Sequence, residues 1–410
     1  MPNCCDRFNL FRVQIHSLIL VFGILTGFVS TSIAEMEYVT LGSSDDSRAQ
    51  VRVSRLIMGT DHLGEIPPDQ IIAVLNEAVR LGINVFDTAP IYVNGIEDTL
   101  GRWMSTRSEE LHVITKGGFP YDNGPGTYES RLKGTPSEMA GAIQEEIDGS
   151  FERLNKRKIL IYLMHRDDGS FKNYERTREP QTPVGDIQRS LKTCSICGKF
   201  KMFGVSNWRP HRVNKAKENA SNDPLMLDPV ANSPYFSILQ MSDVTIHSGG
   251  EQVKHNEMND LEFQPGVKIM SYSPLGGFSI FSRPWAEAKQ AALDLKNQGD
   301  RYWGHVFDSI FHDANEARFN RVVKFTNDFN RSYGTSYTPD QVANAYVLAH
   351  KRADFLIIGP RSVAQLRRTV DSLALSKRLT QDDLDHLFDN SKTPHFHPSR
   401  VRFCQRLLGG

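Results

Sequence analysis

The sequence predicts an α/β fold, an eight-stranded parallel barrel wrapped by helices, on three observations. Eight short apolar runs recur along the chain, segments with helically spaced apolar residues lie between them, and the number eight suits a sheet closed on itself. An open doubly wound sheet is the competing arrangement, but no G-x-G-x-x-G follows the first run. The chain has 410 residues, and a (β/α)8 TIM barrel takes about 250.

In order, the predicted strands are RLIMGT (55–60), INVFDTA (83–89), LHVITKGG (111–118), ILIYLMH (159–165), KMFGVSN (201–207), PVANSPYF (229–236), VKIMSYSPLG (267–276) and FLIIGP (355–360). Near-continuous apolar character fits strands covered on both faces. PPDQIIAVLNEAVRLG spaces its apolar residues as a helix and stops at Gly82, and TPSEMAGAIQEEI opens with a capping box from Thr135 to Glu138. Further helices are expected over 183–191, 210–219, 339–349 and 363–373. Before the first strand, YVTLG and VRVSR flank the polar SSDDSRAQ, the pattern of a hairpin that plugs one end of the barrel. Between strands seven and eight lies a long insertion, 278–337, with amphipathic pieces at 285–295 and 315–330.

Lys plus Arg and Asp plus Glu number 48 each, so no charge excess points to nucleic acid or an acidic membrane surface. A small molecule is the expected partner, and the oligomeric state is not legible. The first 35 residues form a leader distinct from the domain at 36–410. There Arg7 and Arg12 precede an uncharged apolar run at 18–29, and Ser32-Ile33-Ala34 suits a signal peptidase. That run is short of the roughly 20 apolar residues of a membrane span, so no transmembrane segment is expected. Two readings stay open: export with residues 1–34 cleaved as a signal peptide, or a cytoplasmic protein whose translation starts at Met36.

The five cysteines include Cys194 and Cys197 in CSICGK. A zinc site of this kind needs a second ligand pair, and none has suitable spacing. Preceding strand five, these thiols belong near the barrel floor as structural residues. The histidines of HFHPSR in the C-terminal tail (390–410) are equally unsupported, so no metal site is expected.

A barrel of this type carries its chemistry at the carboxyl ends of its strands. Those ends present Asp87, Lys116, His165, Ser206 with Asn207, Tyr272 with Ser273, and Arg361, while Tyr92 follows Asp87 in its loop. Taken singly, Asp87 reads as a turn residue, Lys116 and Arg361 as solvated cations and His165 as a core histidine. Their placement at successive ends of one sheet favours a shared site. An ammonium beside a phenol favours the phenolate and is expected to lower the Tyr92 pKa, while Asp87 offsets the cost of burying Lys116. A neutral His165 could orient a carbonyl by donating to it. Such a site lacks only a hydride source.

GINVFDTAPIYVNGIEDTLGRWM resembles the G-I-x-x-F-D-T-A-x-x-Y-G-x-x-E-x-x-L-G signature of the aldo-keto reductase superfamily. VITKGG, YLMHRDD and FGVSNW resemble its lysine, histidine and G-x-S-N strands, and SYSPLGG and IIGPRSVAQL its two late cofactor segments. The resemblance implies a catalytic tetrad of Asp87, Tyr92, Lys116 and His165, with Tyr92 as proton donor. It implies that Ser206 and Asn207 hold a nicotinamide carboxamide, that Tyr272 stacks on the ring, and that Ser273, Leu275 and Gly276 border the pyrophosphate. Arg361 would meet the 2′-phosphate of NADPH, disfavouring NADH, and Gln365 would reach the adenine. Gly59, Thr60, Ser233 and Gly359 complete the implied cofactor positions.

Three positions depart from the pattern: Asn232 or Ser233 stands for a strand-six glutamine, Val93 for glycine after the signature tyrosine, and Thr369 for asparagine near the adenine. The implied activity is reversible NADPH-dependent reduction of an aldehyde or ketone. The resemblance also admits an NADPH-binding regulatory subunit with little turnover.

Overall fold

The structure is a computed structural model that describes residues 34–42, 50–122, 127–167, 171–172, 182–243, 245–246, 249–277 and 280–396, with backbone alone at 121–122, 127–129 and 171–172. Most of the expected leader, the centre of the N-terminal hairpin and the end of the C-terminal tail lie outside the described residues.

All eight predicted strands form. They are β1 (Leu56–Gly59), β2 (Val85–Asp87), β3 (His112–Gly117), β4 (Ile159–Met164), β5 (Phe200–Ser206), β6 (Pro229–Ser233), β7 (Lys268–Ser271) and β8 (Phe355–Ile358). Each pairs in parallel with its neighbour, and β8 returns to β1 through Leu356↔Leu56 and Ile358↔Met58, which closes the barrel. Alternation along each strand sorts side chains between two cores. Met58, Phe86, Tyr162, Phe203, Ile269 and Leu356 face the helices. Ile57, Val85, Ile114, Leu163, Ala231, Met270 and Ile357 fill the interior.

The predicted hairpin pairs Tyr38–Leu41 antiparallel with Val51–Ser54. Its Leu41 and Val53 are buried in the interior cluster, so the hairpin plugs the barrel as expected. Each such apolar side chain contributes roughly 1.5–3 kcal/mol.

The helices are α1 (Pro68–Arg80), α2 (Ile96–Ser105), α3 (Pro136–Arg153), α4 (Val184–Ser195), α5 (Pro210–Asn222), α6 (His255–Asn259), α7 (Trp285–Asn297), α8 (Arg301–Ile310), α9 (Asp313–Tyr333), α10 (Pro339–Ala349), α11 (Val363–Ser376) and α12 (Gln381–Asp389). The capping box at Thr135 and Glu138 starts α3 as predicted. Gly82 ends α1 at φ +88°, where an added Cβ would come within 3.0 Å of the Tyr38 hydroxyl.

Among the described residues the insertion holds three α-helices where the sequence suggested two. α8, unpredicted, is capped by the Asp300 carboxylate accepting from Trp303 N at 3.0 Å, but Gly304 interrupts its sequence signal. Trp285 packs between Phe311 and Phe319, with ring centroids at 4.9 and 5.4 Å. Asn315 anchors the insertion to the loop after β6, donating to Gln240 O at 2.8 Å and accepting from Gln240 N at 2.9 Å. Among the described residues no helix is long and apolar enough to cross a membrane.

Candidate active site

The strand alternation that builds the inner core also builds the mouth. Asp87, Lys116, His165, Ser233 and Tyr272 each lie two residues beyond an interior residue, after Val85, Ile114, Leu163, Ala231 and Met270 respectively. The same parity carries Ser206 upward from Met202.

Lys116 is the hub. Its Nζ donates to Asp87 Oδ1 at 2.6 Å, to Tyr92 Oη at 2.9 Å and to Thr88 O at 3.0 Å. These acceptors match an ammonium's three donors. Tyr92 thus meets Lys116 as an acceptor, which leaves its own hydrogen to donate. The His165 ring lies edge-on to Tyr92 and Phe119, at 6.1 and 5.1 Å between centroids.

The signature glutamate fixes this hub from behind. Buried Glu97 of α2 accepts from Thr115 Oγ1 at 2.6 Å on β3 and from Ser150 Oγ and Arg153 Nε of α3 at 3.2 and 2.7 Å. Gly117 has no room for a side chain, since a Cβ there would stand 1.8 Å from Tyr162 Oη. A cavity of about 360 Å³ is lined by Lys116 and His165 of the tetrad with Pro90, Ile91 and Phe119, and it extends to Arg131 and to Glu145, Glu146 and Arg153 of α3.

The electrostatics correct one expectation. The Tyr92 phenol is pushed well above its ordinary pKa, first by burial and then by the charges of Asp87 and Asp61, with Arg166 opposing. Burial also raises the Asp87 carboxyl, against the pull of Lys116. The sequence points to Lys116 as the dominant influence, whereas burial and the charges of Asp87 and Asp61 set the direction.

On the cofactor side, hydrogen bonds link Ser206, Asn207 and Tyr272 beside Ser233. Asn207, at φ +59°, donates to Ser206 Oγ at 3.0 Å, while its Oδ1 accepts from the Tyr272 hydroxyl at 2.7 Å and Glu251 N at 3.0 Å. Ser206 and Ser233 donate to Ser233 O and Met270 O, both at 2.9 Å. Asn232 faces the helices and bonds Gln264 at 3.0 Å, which leaves Ser233 as the strand-six residue at the mouth. Gly59 is wall packing, because a Cβ would lie 3.0 Å from Ile358 O, and the fully buried Thr60 donates its hydroxyl to Asp87 O at 3.0 Å.

Gly359 is open, a Cβ there meeting only His62 at 3.7 Å. Ser273 and Gly276 close a turn with positive φ at both residues and a 3.0 Å bond from Gly276 N to Ser273 O, with Leu275 half-buried between them. Arg361, half-exposed, pairs with Glu65 at 3.3 Å, and its backbone N donates to Gln365 Oε1 at 2.8 Å just before α11. An open glycine, a turn of the kind that gathers backbone N–H groups, and a cation at a helix N-terminus fit a dinucleotide carrying phosphates.

Cys194 is buried, donates to Ala140 O at 3.2 Å, and has its thiol pushed up by burial to about 11, consistent with a structural role. The sequence reading missed Asp61, Arg166 and Phe119. The signal was available for Asp61, which follows the end of β1 just as Lys116 and His165 stand at the ends of β3 and β4.

The family model described as Aldo/keto reductase family matches residues 55–389. The chain is 28% identical over 357 residues to an uncharacterized oxidoreductase of Bacillus subtilis, YrpG, covering 83% of this chain and 92% of that protein. It is 28% identical over 304 residues to the Schizosaccharomyces pombe aldo-keto reductase yakc, named with NADP(+), covering 73% and 77%. Over 184 residues it is 28% identical to norsolorinic acid reductase stcV of Emericella nidulans, covering 42% and 44%.

Proposed function

The chain belongs to the aldo/keto reductase family and is an NAD(P)H-dependent oxidoreductase, and from that premise we propose that it reduces an aldehyde or ketone reversibly with NADPH, with Tyr92 as proton donor. The observation that carries this reading is the position of Lys116, bonded at once to the Asp87 carboxylate and the Tyr92 hydroxyl.

Bound in the mouth, the dinucleotide supplies the hydride, which no side chain can. A phenol pushed above its ordinary pKa keeps its proton through neutral pH and yields it only to the alkoxide that develops on the substrate oxygen. Lys116 stabilises the phenolate left behind, and Asp87 keeps the ammonium charged in a buried place. His165 borders the cavity and would direct the carbonyl oxygen toward Tyr92. Ser206 and Asn207 would meet the carboxamide, and Tyr272 the ring. Ser273, Leu275, Gly276 and Gly359 would border the pyrophosphate, with Arg361 at the 2′-phosphate and Gln365 at the adenine. The name of the yakc relative, which carries NADP(+), supports the choice of cofactor.

The test is a panel of small aldehydes and ketones assayed by loss of reduced nicotinamide absorbance, beside cofactor binding followed by protein fluorescence. Binding of NADPH together with its oxidation on a carbonyl is expected. Tight binding without turnover on any carbonyl would favour the regulatory-subunit reading, and no binding would overturn both.

A further inference from the structure

One peptide unit joins the two strand ends that carry Lys116 and His165. Its carbonyl, Gly117 O, accepts from His165 N at 2.8 Å and makes the last rung between β3 and β4. Its N–H belongs to Gly118, where the chain leaves the ladder at φ +69°, and no backbone carbonyl among the described residues accepts from it. Glu146 Oε2 of α3 does, at 2.5 Å. The peptide that follows Lys116 is therefore held by the His165 backbone on one side and by a carboxylate on the other.

A solvated helix face does not explain Glu146. It stands on the buried stripe of α3, one turn from Ile143 and Ser150 and next to Ile147, and its side chain is only 17% exposed. Its Oε1 accepts from the Arg131 guanidinium, which fixes the carboxylate plane and aims Oε2 at Gly118. An ionised acceptor on a backbone N–H makes a short, strong bond. The surroundings leave little slack, since a Cβ on Gly117 would lie 2.5 Å from the same Oε2. On the other side of Lys116, Thr115 donates to Glu97 at 2.6 Å. Carboxylates of α2 and α3 thus tie down the chain before and after Lys116 while its Nζ reaches Asp87 and Tyr92. Glu97 is part of the signature segment, whereas Glu146 lies in none of the segments that carry the family resemblance.

We propose that Glu146 is a positioning residue of the reductase site, which through its bond to Gly118 N sets the Gly117–Gly118 peptide and with it the spacing of Lys116 and His165 across the tetrad. The inference rests on the carbonyl-reductase reading above. Lys116 and His165 act on charge that develops at Tyr92 and at the substrate oxygen. A small displacement of either therefore raises the barrier more than it weakens ground-state binding.

The experiment compares the full-length protein with Glu146→Ala and Glu146→Gln, using the carbonyl compound that the wild type turns over fastest. Alanine removes the acceptor, while glutamine drops the charge and keeps an oxygen for Gly118 N. Glu146→Ala should lose roughly tenfold or more in kcat, with KM and NADPH affinity within about twofold of wild type. Glu146→Gln should recover to within about threefold of the wild-type kcat. Independently of turnover, hydrogen exchange in the peptide spanning residues 112–119, read by mass spectrometry, should quicken in Glu146→Ala and much less in Glu146→Gln.

A wild-type kcat in folded Glu146→Ala would overturn the proposal while leaving the proposed reduction intact. Equal losses in the two variants would overturn it as well, because the charge rather than the bond to Gly118 would then carry the effect. Unchanged exchange over residues 112–119 in Glu146→Ala would show that the carboxylate does not hold this peptide. A wild-type protein that binds NADPH and reduces no carbonyl would remove the carbonyl-reductase reading, and the kinetic role with it.

Discussion

Replacing Lys116 by Met tests the buried pair at the centre of the site. The side chains of Lys116 and Asp87 are 4% and 3% exposed, and their charges meet at 2.6 Å. Methionine keeps much of the lysine stem's volume, so the main loss is the counter-charge. Stranding one member of a buried pair costs about 3–5 kcal/mol. Asp87 can escape that cost by taking a proton, which gives the loss a definite pH dependence. Its carboxyl is already raised by burial against the pull of Lys116, and without the ammonium it rises further. An acid raised in the folded state keeps its stability below its unfolded pKa and loses it as pH climbs through the folded value, by up to about 1.4 kcal/mol per unit. Lys116→Met should therefore fall only slightly below wild type near about pH 4, and by about 3–5 kcal/mol near about pH 8. Urea unfolding followed by tryptophan fluorescence reads this, with the buried Trp103, Trp208 and Trp285 as reporters. An equal loss at both pH values, or a loss below about 1 kcal/mol at the higher one, would refute the reasoning.

Two further predictions concern other parts of the molecule. His350 is held neutral, its pKa pushed down to about 3 by burial and then by His255, whose Nδ1 lies 3.1 Å from its Nε2. The unfolded chain binds the proton first, so this group's stability is present above about pH 6.5 and is lost progressively toward about pH 3, by on the order of 5 kcal/mol. His350→Leu should flatten that part of the acid-unfolding curve, and an unchanged slope would contradict the assignment. Arg361→Ala should weaken NADPH binding by about tenfold and leave NADH within about twofold, as read by fluorescence titration. Equal weakening of both would remove Arg361 from the 2′-phosphate.

The barrel and the tetrad's meeting point were legible because both follow from one alternation. Apolar runs covered on both faces gave the eight strands, and counting two residues on from Val85 and Ile114 leads to Asp87 and Lys116. What was not legible depends on distance rather than order. The upward shift of the Tyr92 phenol required knowing how far it is buried and that the charge of Asp61, from a different strand end, adds to that of Asp87. Asn232 and Ser233 were equivalent in sequence until the pairing of Ala231 with Lys268 set which of them faces the mouth. Helix α8 was hidden by Gly304 and by a short polar start, and it is held by contacts such as Ser242 N to Ser309 O at 2.9 Å.

Tyr92→Phe tests the central claim most directly, by comparing kcat/KM for carbonyl reduction with the affinity for NADPH in one protein. Removing one hydroxyl that accepts from Lys116 at 2.9 Å leaves the ring and the Arg361 segment in place. NADPH should bind as in the wild type while kcat/KM falls by roughly 10²-fold or more. Turnover that survives the loss of this hydroxyl would contradict the account.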